Sequence, residues 1–498
     1  MLTPPITAKK PTERSHHGDV VTDDYEWLRD KDDPAVIAHL HEENAYTNAR
    51  TEALGVLREQ IFDEIKNRTR ETDLSVPTRE GDWWYYTRTV EGRQYGIHCR
   101  AAIDGPDDWD PPALDEAAQQ HGLPGEQILL DDNAEAEGHD FYALGSFDVS
   151  ADGSRLLYAV DTEGDERYTI RVRSLADDGA AFADEIAGTG AGAFFDPSGE
   201  YIFYTTVDDA WRPDTVWRHR VGHGPDGEPD ARVFHEPDER YWVGAGLTRS
   251  RRFLIVEVGS NITSESWLLD ASDPTGEFTV VWPRKEGVEY DVEHAIAGGR
   301  DRLLIVHNDD AVNFELVSVA ADDPQGPRRI LLAHNPAVRI EGVDAFRDFV
   351  ALEYRREGMT RLAVACLPQK GEDGAEPDDT LHELHFDEQL FTVGAGGNPE
   401  WTQPFLRLGY GSFVTPSSVY DYDVRTRELT LRKQQPVLGE FEPELFEQRR
   451  EWATAADGTR IPISLVYRND LVTPGEPAPL VLYGYGSYEA SMDPSFGI

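Results

Sequence analysis

The sequence has few cysteines, few lysines and no long hydrophobic run, and each shortage excludes a class of protein. Its only cysteines, Cys99 and Cys366, exclude a disulfide-stabilised fold, and no Cys/His spacing typical of a zinc site surrounds either one. We expect both to be reduced thiols in the core. No run of about 18 apolar residues could cross a bilayer, and the N-terminus lacks the apolar segment of a secretory signal. A soluble cytoplasmic protein that binds no membrane is the expectation.

Positive charge is also scarce. The 498 residues carry 47 Lys+Arg against 94 Asp+Glu, a net charge of −47, which excludes a protein that binds nucleic acid through phosphate contacts. Only seven of the 47 cations are lysine. Concentrated salt screens the repulsion between dense surface carboxylates, so the composition predicts a halophilic protein. A GC-rich genome would explain the preference for arginine but not the acidic excess.

The common catalytic motifs are missing. No GxSxG occurs, because Ser412 and Ser487 each have a tyrosine two positions earlier, where the motif requires glycine. HExxH, Walker and strand-associated GxGxxG motifs are absent too, and the 15 histidines show no zinc-ligand spacing. The residues therefore predict no metal site and no cofactor.

The first 75 residues predict a mostly helical segment. Asp33 followed by proline is typical of a helix N-terminus, and apolar residues then recur at helical spacing. These residues are Val36, Ile37, Leu40, Leu54, Leu57, Ile61 and Ile65.

Residues 76–431 consist of short alternating runs separated by Gly, Asp and Pro turns. Seven similar runs recur at spacings of 73, 45, 52, 50, 46 and 56 residues, and they begin at Trp83, Leu156, Tyr201, Phe253, Leu303, Phe349 and Phe405. A second strand follows most of them, and about fifty residues suit a four-stranded antiparallel sheet. We predict a seven-bladed β-propeller, with a pair of β-sandwiches as the alternative. The acidic insertion 103–127 lengthens the first spacing and is interpreted as a surface loop.

Residues 432–498 have a third pattern. Two strands are predicted around the turn Ala456–Thr459, and the apolar run Pro479–Tyr483 predicts a buried strand. Gly484–Ser487 then forms a tight loop at its C-terminal end, where open α/β sheets build their sites. This part is interpreted as the opening strands of an incomplete α/β domain.

Several segments carry a family resemblance. They are HHGDVVTDDYEWLRDKDDP, TDLSVPTREGDWWYYTRTVEGRQYGIHCR, LLDDNAEAEGHDFYALGSFDVSADG, VDDAWRPDTVWRHRVG and LVLYGYGSYEASMDPSF. In this order they resemble the prolyl oligopeptidase family of serine peptidases over nearly the whole chain, and within it oligopeptidase B. The resemblance implies a helical segment packed on a C-terminal α/β-hydrolase domain, with a propeller that covers the active site and excludes large substrates.

The same resemblance implies where the catalytic groups lie. An α/β-hydrolase triad follows the order Ser, acid, His, and all three would lie beyond Ile498. We therefore expect residues 1–498 alone to be inactive. Tyr485, the second tyrosine of YGYG, matches the family residue that donates its hydroxyl to the oxyanion. Tyr488 matches an aromatic that lines the substrate cleft. Asp493 matches one of two acids suited to basic substrate side chains, whereas the second position is Ser495.

The resemblance thus predicts an oligopeptidase that cleaves short, basic peptides after Arg or Lys. One alternative is a propeller that binds peptides and has lost its hydrolase domain, although such a module has no reason to keep YGYGS. A third reading is prolyl specificity. It is disfavoured because GYGSYEAS resembles oligopeptidase B more than the GYGGF segment that is typical of prolyl oligopeptidase. Oligomeric state stays open.

Overall fold

The computed structural model describes residues 3–176, 181–224, 229–368, 381–473 and 475–498. These residues form two compact units. The first contains Met1–Arg70, Val437–Glu440 and Ile498, and the second contains Glu71–Pro436 and Phe441–Gly497. The predicted domain boundaries at residues 75 and 431 stay a prediction. The blade sheets of the second unit begin at Asp73 and end at Gln434, and a hairpin follows them.

The first unit contains a hairpin and two helices. Strands β1 (Thr12–His16) and β2 (Asp19–Asp23) precede helices α1 (Pro34–Thr51) and α2 (Gly55–Arg68), with 3₁₀ turns at Glu26–Arg29 and Glu52–Leu54. The predicted N-terminus of α1 is confirmed, since the Asp33 side chain accepts a 2.8 Å hydrogen bond from the Ala35 N–H. The helical pattern did not predict the hairpin. Its turn residues His17 and Gly18 both have positive φ, as a two-residue turn of this hand requires.

The apolar residues of these helices are mostly exposed. Val36 is buried, but the other six side chains of the predicted apolar stripe are 42 to 53% exposed. The predicted helices are confirmed, whereas their apolar side chains are mostly not buried by other parts of the described chain.

Among its described residues the second unit contains seven antiparallel sheets of four or five strands, each made of strands that follow one another in sequence, and one two-stranded hairpin sheet. Blade 1 contains β3 (Asp73–Leu74), β4 (Thr78–Glu80), β5 (Trp83–Thr89), β6 (Ile97–Ala102) and β7 (Gln127–Asp131). Blade 2 contains β8 (Ala143–Val149), β9 (Arg155–Asp161), β10 (Tyr168–Ser174) and β11 (Ala181–Thr189). Blade 3 contains β12 (Phe194–Phe195), β13 (Tyr201–Val207), β14 (Pro213–Arg220) and β15 (Ala231–His235). Blade 4 contains β16 (Trp242–Leu247), β17 (Phe253–Gly259), β18 (Ser264–Asp270) and β19 (Thr279–Val280).

The last three blades have the same plan. Blade 5 contains β20 (Tyr290–Ala297), β21 (Arg300–His307), β22 (Glu315–Ala320) and β23 (Arg329–Leu332). Blade 6 contains β24 (Val338–Ala345), β25 (Phe349–Arg356), β26 (Met359–Cys366) and β27 (His382–Glu383). Blade 7 contains β28 (Thr392–Ala395), β29 (Phe405–Gly411), β30 (Ser418–Asp423) and β31 (Leu429–Gln434).

The predicted seven-bladed propeller is confirmed, and the pair of sandwiches is excluded. The seven repeated runs coincide with the long strands β5, β9, β13, β17, β21, β25 and β29. Apart from β5, these strands bury residues on both faces, because each sheet packs between two neighbours. Phe349 and Leu362 of blade 6, for example, share one apolar cluster with Leu406 and Leu408 of blade 7.

Blades 1 and 7 are joined by side chains rather than by a shared strand. The buried Arg407 of β29 donates to the Pro77 carbonyl of blade 1 at 2.7 Å, and its guanidinium also forms a double hydrogen bond with Asp421. The Lys433 ammonium of β31 donates to the Asp73 carboxylate at 2.5 Å and to the Leu74 carbonyl at 2.6 Å. These cationic contacts therefore help to close the ring.

Two local predictions were wrong. The insertion 103–127 is not only a surface loop: α3 (Glu116–His121) lies within it, and its Ala118 packs with Leu123 into the core of blade 1. Asp115 caps this helix by accepting from the Ala118 N–H at 2.8 Å. A further short helix, α4 (Asp132–Glu135), follows β7. Cys99 is buried as predicted, but Cys366 is exposed because it lies at the last position of its strand.

The final part of the chain agrees only partly with prediction. Strands β32 (Phe446–Thr454) and β33 (Arg460–Arg468) form the predicted hairpin around Ala456–Thr459. The predicted buried strand Pro479–Tyr483 was wrong: the segment forms no strand, and Leu480, Val481 and Leu482 are 76 to 91% exposed. A central strand needs a paired strand on each side, and nothing in the described chain pairs with this one.

Candidate substrate site

The first strands of the blades surround a cavity of about 730 Å³. Its wall includes residues from at least six blades, among them Glu80, Asp148, Phe194, Arg249, Glu293 and Asn398. Inner strands of a propeller converge on the ring axis, which is why residues far apart in sequence meet here. The cavity is large enough to admit a peptide side chain, and both acidic and basic side chains line it.

Two arginines of the turn after β16 connect blade 4 to other blades across the cavity wall. Arg251 forms an ion pair with Glu80 of blade 1. Arg249 pairs with Asp344 of blade 6 and donates to the Asn398 carbonyl next to blade 7 at 2.8 Å. These contacts use most of the cationic donors of the wall to connect blades.

Two acids of the cavity wall have strongly raised pKa values. Burial raises the pKa of Asp148 to about 6, although its carboxylate accepts a 2.7 Å hydrogen bond from the Phe195 N–H. Burial also raises the pKa of Glu293 to about 8, against the opposing effect of Arg249. Burial therefore disfavours the charged form of these two carboxyl groups, and a nearby cation would stabilise it.

We predict that Glu293→Gln stabilises the protein at high pH. Because the folded-state pKa of Glu293 lies above its unfolded value, the native state binds the extra proton between about pH 4.5 and 8, and stability falls as pH rises through that window. The variant loses this penalty, so its free energy of unfolding should exceed that of the wild type by about 1 to 3 kcal/mol at pH 9 and equal it near pH 5.

Urea unfolding at both pH values measures the difference. Glu277→Gln, which makes the same change at an exposed position, is the control and should show no such pH dependence. A Glu293→Gln effect of equal size at pH 5 and pH 9 would contradict the prediction.

Of the three residues predicted from the resemblance, Asp493 is hydrogen-bonded to the propeller and the two tyrosines are exposed. Tyr485 is 60% exposed, in a segment without regular structure. Tyr488 is 85% exposed, in the 3₁₀ turn Ser487–Glu489 with a positive φ of 54°. The structure therefore brings neither tyrosine hydroxyl into a closed site.

Asp493 binds an arginine of blade 6. Its two carboxylate oxygens accept hydrogen bonds of 2.7 Å from the two terminal nitrogens of Arg355, on β25. Arg355 Nε also donates to Glu341 of β24 at 2.5 Å. The pair is largely shielded, with side-chain exposures of 18% for Arg355 and 23% for Asp493.

Two further contacts hold the same segment against the propeller. Arg339 of β24 pairs with Glu489 at 2.6 Å, and the Thr392 hydroxyl of β28 donates to the Pro494 carbonyl at 2.7 Å. Sequence reasoning identified neither arginine as a site residue. No short-range signal could have done so, because 138 and 150 positions separate the paired residues.

A sequence profile described as "Prolyl oligopeptidase, N-terminal beta-propeller domain" matches residues 4–435, the part of the chain that includes all seven blades. The chain belongs to the prolyl oligopeptidase family. It is 36% identical to dipeptidyl aminopeptidase BI of Pseudoxanthomonas mexicana and 32% identical to protease 2 of Moraxella lacunata. These alignments cover 100% and 99% of this chain but 66% and 67% of those proteins, so the chain spans about two thirds of their length.

Solved structures of the same family have the same architecture. Oligopeptidase B from Leishmania major superposes with a TM-score of 0.89 at 30% identity, over 100% of this chain and 69% of the other. Oligopeptidase B from Trypanosoma brucei, in a closed form with covalently bound antipain, superposes with a TM-score of 0.87 at 34% identity, over 99% and 69%. The chain thus carries the propeller domain of an oligopeptidase B-like member of the family.

Two kinds of feature are not found among the described residues. Across residues 3–176, 181–224, 229–368, 381–473 and 475–498, no group of three or more His, Cys, Asp or Glu side chains is arranged to hold a metal ion. In the same residues no helix combines the length and apolar character that a membrane span needs.

Proposed function

We propose that this chain forms the peptide-admitting part of a serine oligopeptidase that cleaves short peptides after Arg or Lys. The observation that carries the proposal is the superposition of 99 to 100% of this chain on 69% of each of two oligopeptidase B structures, one of which holds covalently bound antipain. The acidic chain and the carboxyl groups of the cavity wall favour basic peptides over acidic ones. The propeller acts as a size filter for these peptides.

Tyr485 is the proposed oxyanion donor of the assembled site. A phenol is protonated at neutral pH and donates a hydrogen bond without needing a proton partner. One such donor contributes about 3 kcal/mol of transition-state stabilisation, provided that the site is dry. Its exposure in the described chain means that the remainder of the site must be supplied by residues with which Tyr485 packs in the active enzyme.

A second candidate is a dipeptidyl aminopeptidase, because the 36% identical relative carries that name. An aminopeptidase of this kind needs a free substrate amine, whereas the proposed enzyme does not. Two further candidates are a prolyl-specific oligopeptidase and a module that binds peptides without hydrolysing them.

The test compares the product of the natural gene with residues 1–498 alone, using N-blocked and unblocked Arg-Arg and Gly-Pro coumarin amides. We expect the gene product to cleave the blocked Arg-Arg substrate at least about tenfold faster than the Gly-Pro substrate, and Tyr485→Phe to lower that rate by about 10² to 10³. Residues 1–498 alone should cleave neither, since no nucleophile elbow occurs in them.

Each different result would favour one of the competing functions. Equal rates on Arg and Pro substrates would favour the prolyl enzyme, and cleavage of unblocked substrates only would favour the aminopeptidase. Peptide binding by the gene product without any cleavage would favour the binding module. An unchanged rate in Tyr485→Phe would make Tyr485 a packing residue.

A further inference from the structure

Arg355 is bound to Asp493 in the way that a substrate arginine would be. A guanidinium presents parallel N–H donors that match the two oxygens of a carboxylate, and the Arg355–Asp493 pair has this geometry, with both bonds at 2.7 Å. Both oxygens of Asp493 are therefore occupied by a guanidinium, the group that a substrate arginine would offer.

The surroundings of Arg355 hold it in this position. Its Nε is bound to Glu341, while its two terminal nitrogens are bound to Asp493, so the guanidinium lies between two carboxylates. These carboxylates raise the pKa of Arg355 above its ordinary value, and the group stays charged. The cluster of Arg355, Asp493 and Glu341 has a net charge of −1, and only Asp493 belongs to the segment that the resemblance assigns to substrate binding.

We propose that Arg355 is an internal competitor for the Asp493 subsite and limits the enzyme's preference for a second basic residue in the substrate. The inference rests on the proposed function, since it concerns the same peptide site. A substrate guanidinium that reaches Asp493 must displace an equivalent guanidinium of β25. The exchange replaces one charge-assisted pair with another, so a second basic residue adds little affinity.

Removal of the Arg355 guanidinium should give the site a preference for peptides with a second basic residue. The probes are two peptides that differ at one position, N-acetyl-Arg-Arg-amide and N-acetyl-Ala-Arg-amide, titrated calorimetrically into the 498-residue chain at 0.15 M KCl. We expect the wild type to bind the two peptides with affinities within about threefold of each other. Arg355→Met should bind the dibasic peptide at least about tenfold more tightly than it binds the Ala-Arg peptide. Arg355→Lys, which keeps the charge but cannot form the double hydrogen bond, should fall between them.

Two further variants isolate the pair. Arg356→Met removes the neighbouring arginine of the same strand, which pairs with Glu383 through two 2.8 Å bonds, and should leave the peptide ratio at its wild-type value. Asp493→Asn added to Arg355→Met should abolish the gain. Circular dichroism melting of each variant confirms that the propeller is folded.

The outcomes separate the inference from the proposed function. Binding of both peptides with an unchanged ratio in Arg355→Met overturns the inference and leaves the proposed function intact. An equal gain in Arg356→Met also overturns it, because general electrostatics would then explain the effect. Failure of every folded variant to bind either peptide would also overturn the inference, whereas the proposed function is tested separately by cleavage of the coumarin amides by the gene product.

Discussion

Arg407→Met should lower the free energy of unfolding by about 3 to 5 kcal/mol, the largest single-residue effect expected in the propeller. Arg407 is 4% exposed and its partner Asp421 is 3% exposed. Methionine retains the apolar volume but leaves Asp421 with one remaining cationic partner, Arg432, whose Nε donates to it at 2.8 Å. The carbonyl of Pro77 loses its donor in the same step. A buried carboxylate that loses a bidentate partner costs far more than an exposed one.

The matched control is Arg347→Met. Arg347 also forms a double hydrogen bond with an aspartate, Asp348, but both side chains are about half exposed. The same substitution there should cost less than about 1 kcal/mol. Urea midpoints and slopes measured for both variants give the comparison, and a cost below about 1 kcal/mol for Arg407→Met would show that the junction of blades 1 and 7 does not depend on this residue.

Salt should have the second large effect. We propose that the acidic surface is a salt adaptation, because a net charge of −47 repels itself across the folded chain. The screening length is about 14 Å at 0.05 M salt and about 2 Å at 2 M. High salt therefore screens the repulsion between neighbouring carboxylates. The melting temperature should rise by roughly 10 °C or more between 0.05 and 2 M KCl, and structure should be lost on desalting.

A sucrose series provides the control, since sucrose strengthens burial without screening charge. Sucrose should therefore fail to restore a desalted sample at concentrations where KCl succeeds. A melting temperature that stays flat across the KCl range would show that the charge is not a salt adaptation and would leave the arginine bias to genome composition.

The propeller could be predicted from sequence because its information is local and repeated. Each of the seven runs has the alternation and turn residues of a strand, and the fifty-residue period converts these strands into sheets. Hydrophobicity alone is less informative, as Pro479–Tyr483 shows. An apolar run indicates that a segment will be buried by something, but the burial itself depends on neighbouring strands, and the described chain supplies none.

The polar contacts of the site were beyond sequence reasoning for a different reason. Arg355 and Arg407 are two of 40 arginines, and nothing in their immediate sequence distinguishes them from Arg347 or Arg356. Their distant partners, Asp493 and Pro77, lie 138 and 330 positions away and are brought close by the fold. Asp493 could be identified by resemblance, but its occupation by Arg355 required the folded chain.

The order of strands has a consequence for how the protein is made. Because each sheet uses only strands that are consecutive in sequence, each blade has low contact order and can fold as it leaves the ribosome. The contacts between the first and last blades form at the final step, when Arg407 and Lys433 reach Pro77 and Leu74. Until blade 7 is synthesised, the exposed face of the last completed blade is apolar and open to aggregation, so chaperone demand during synthesis should end only at ring closure.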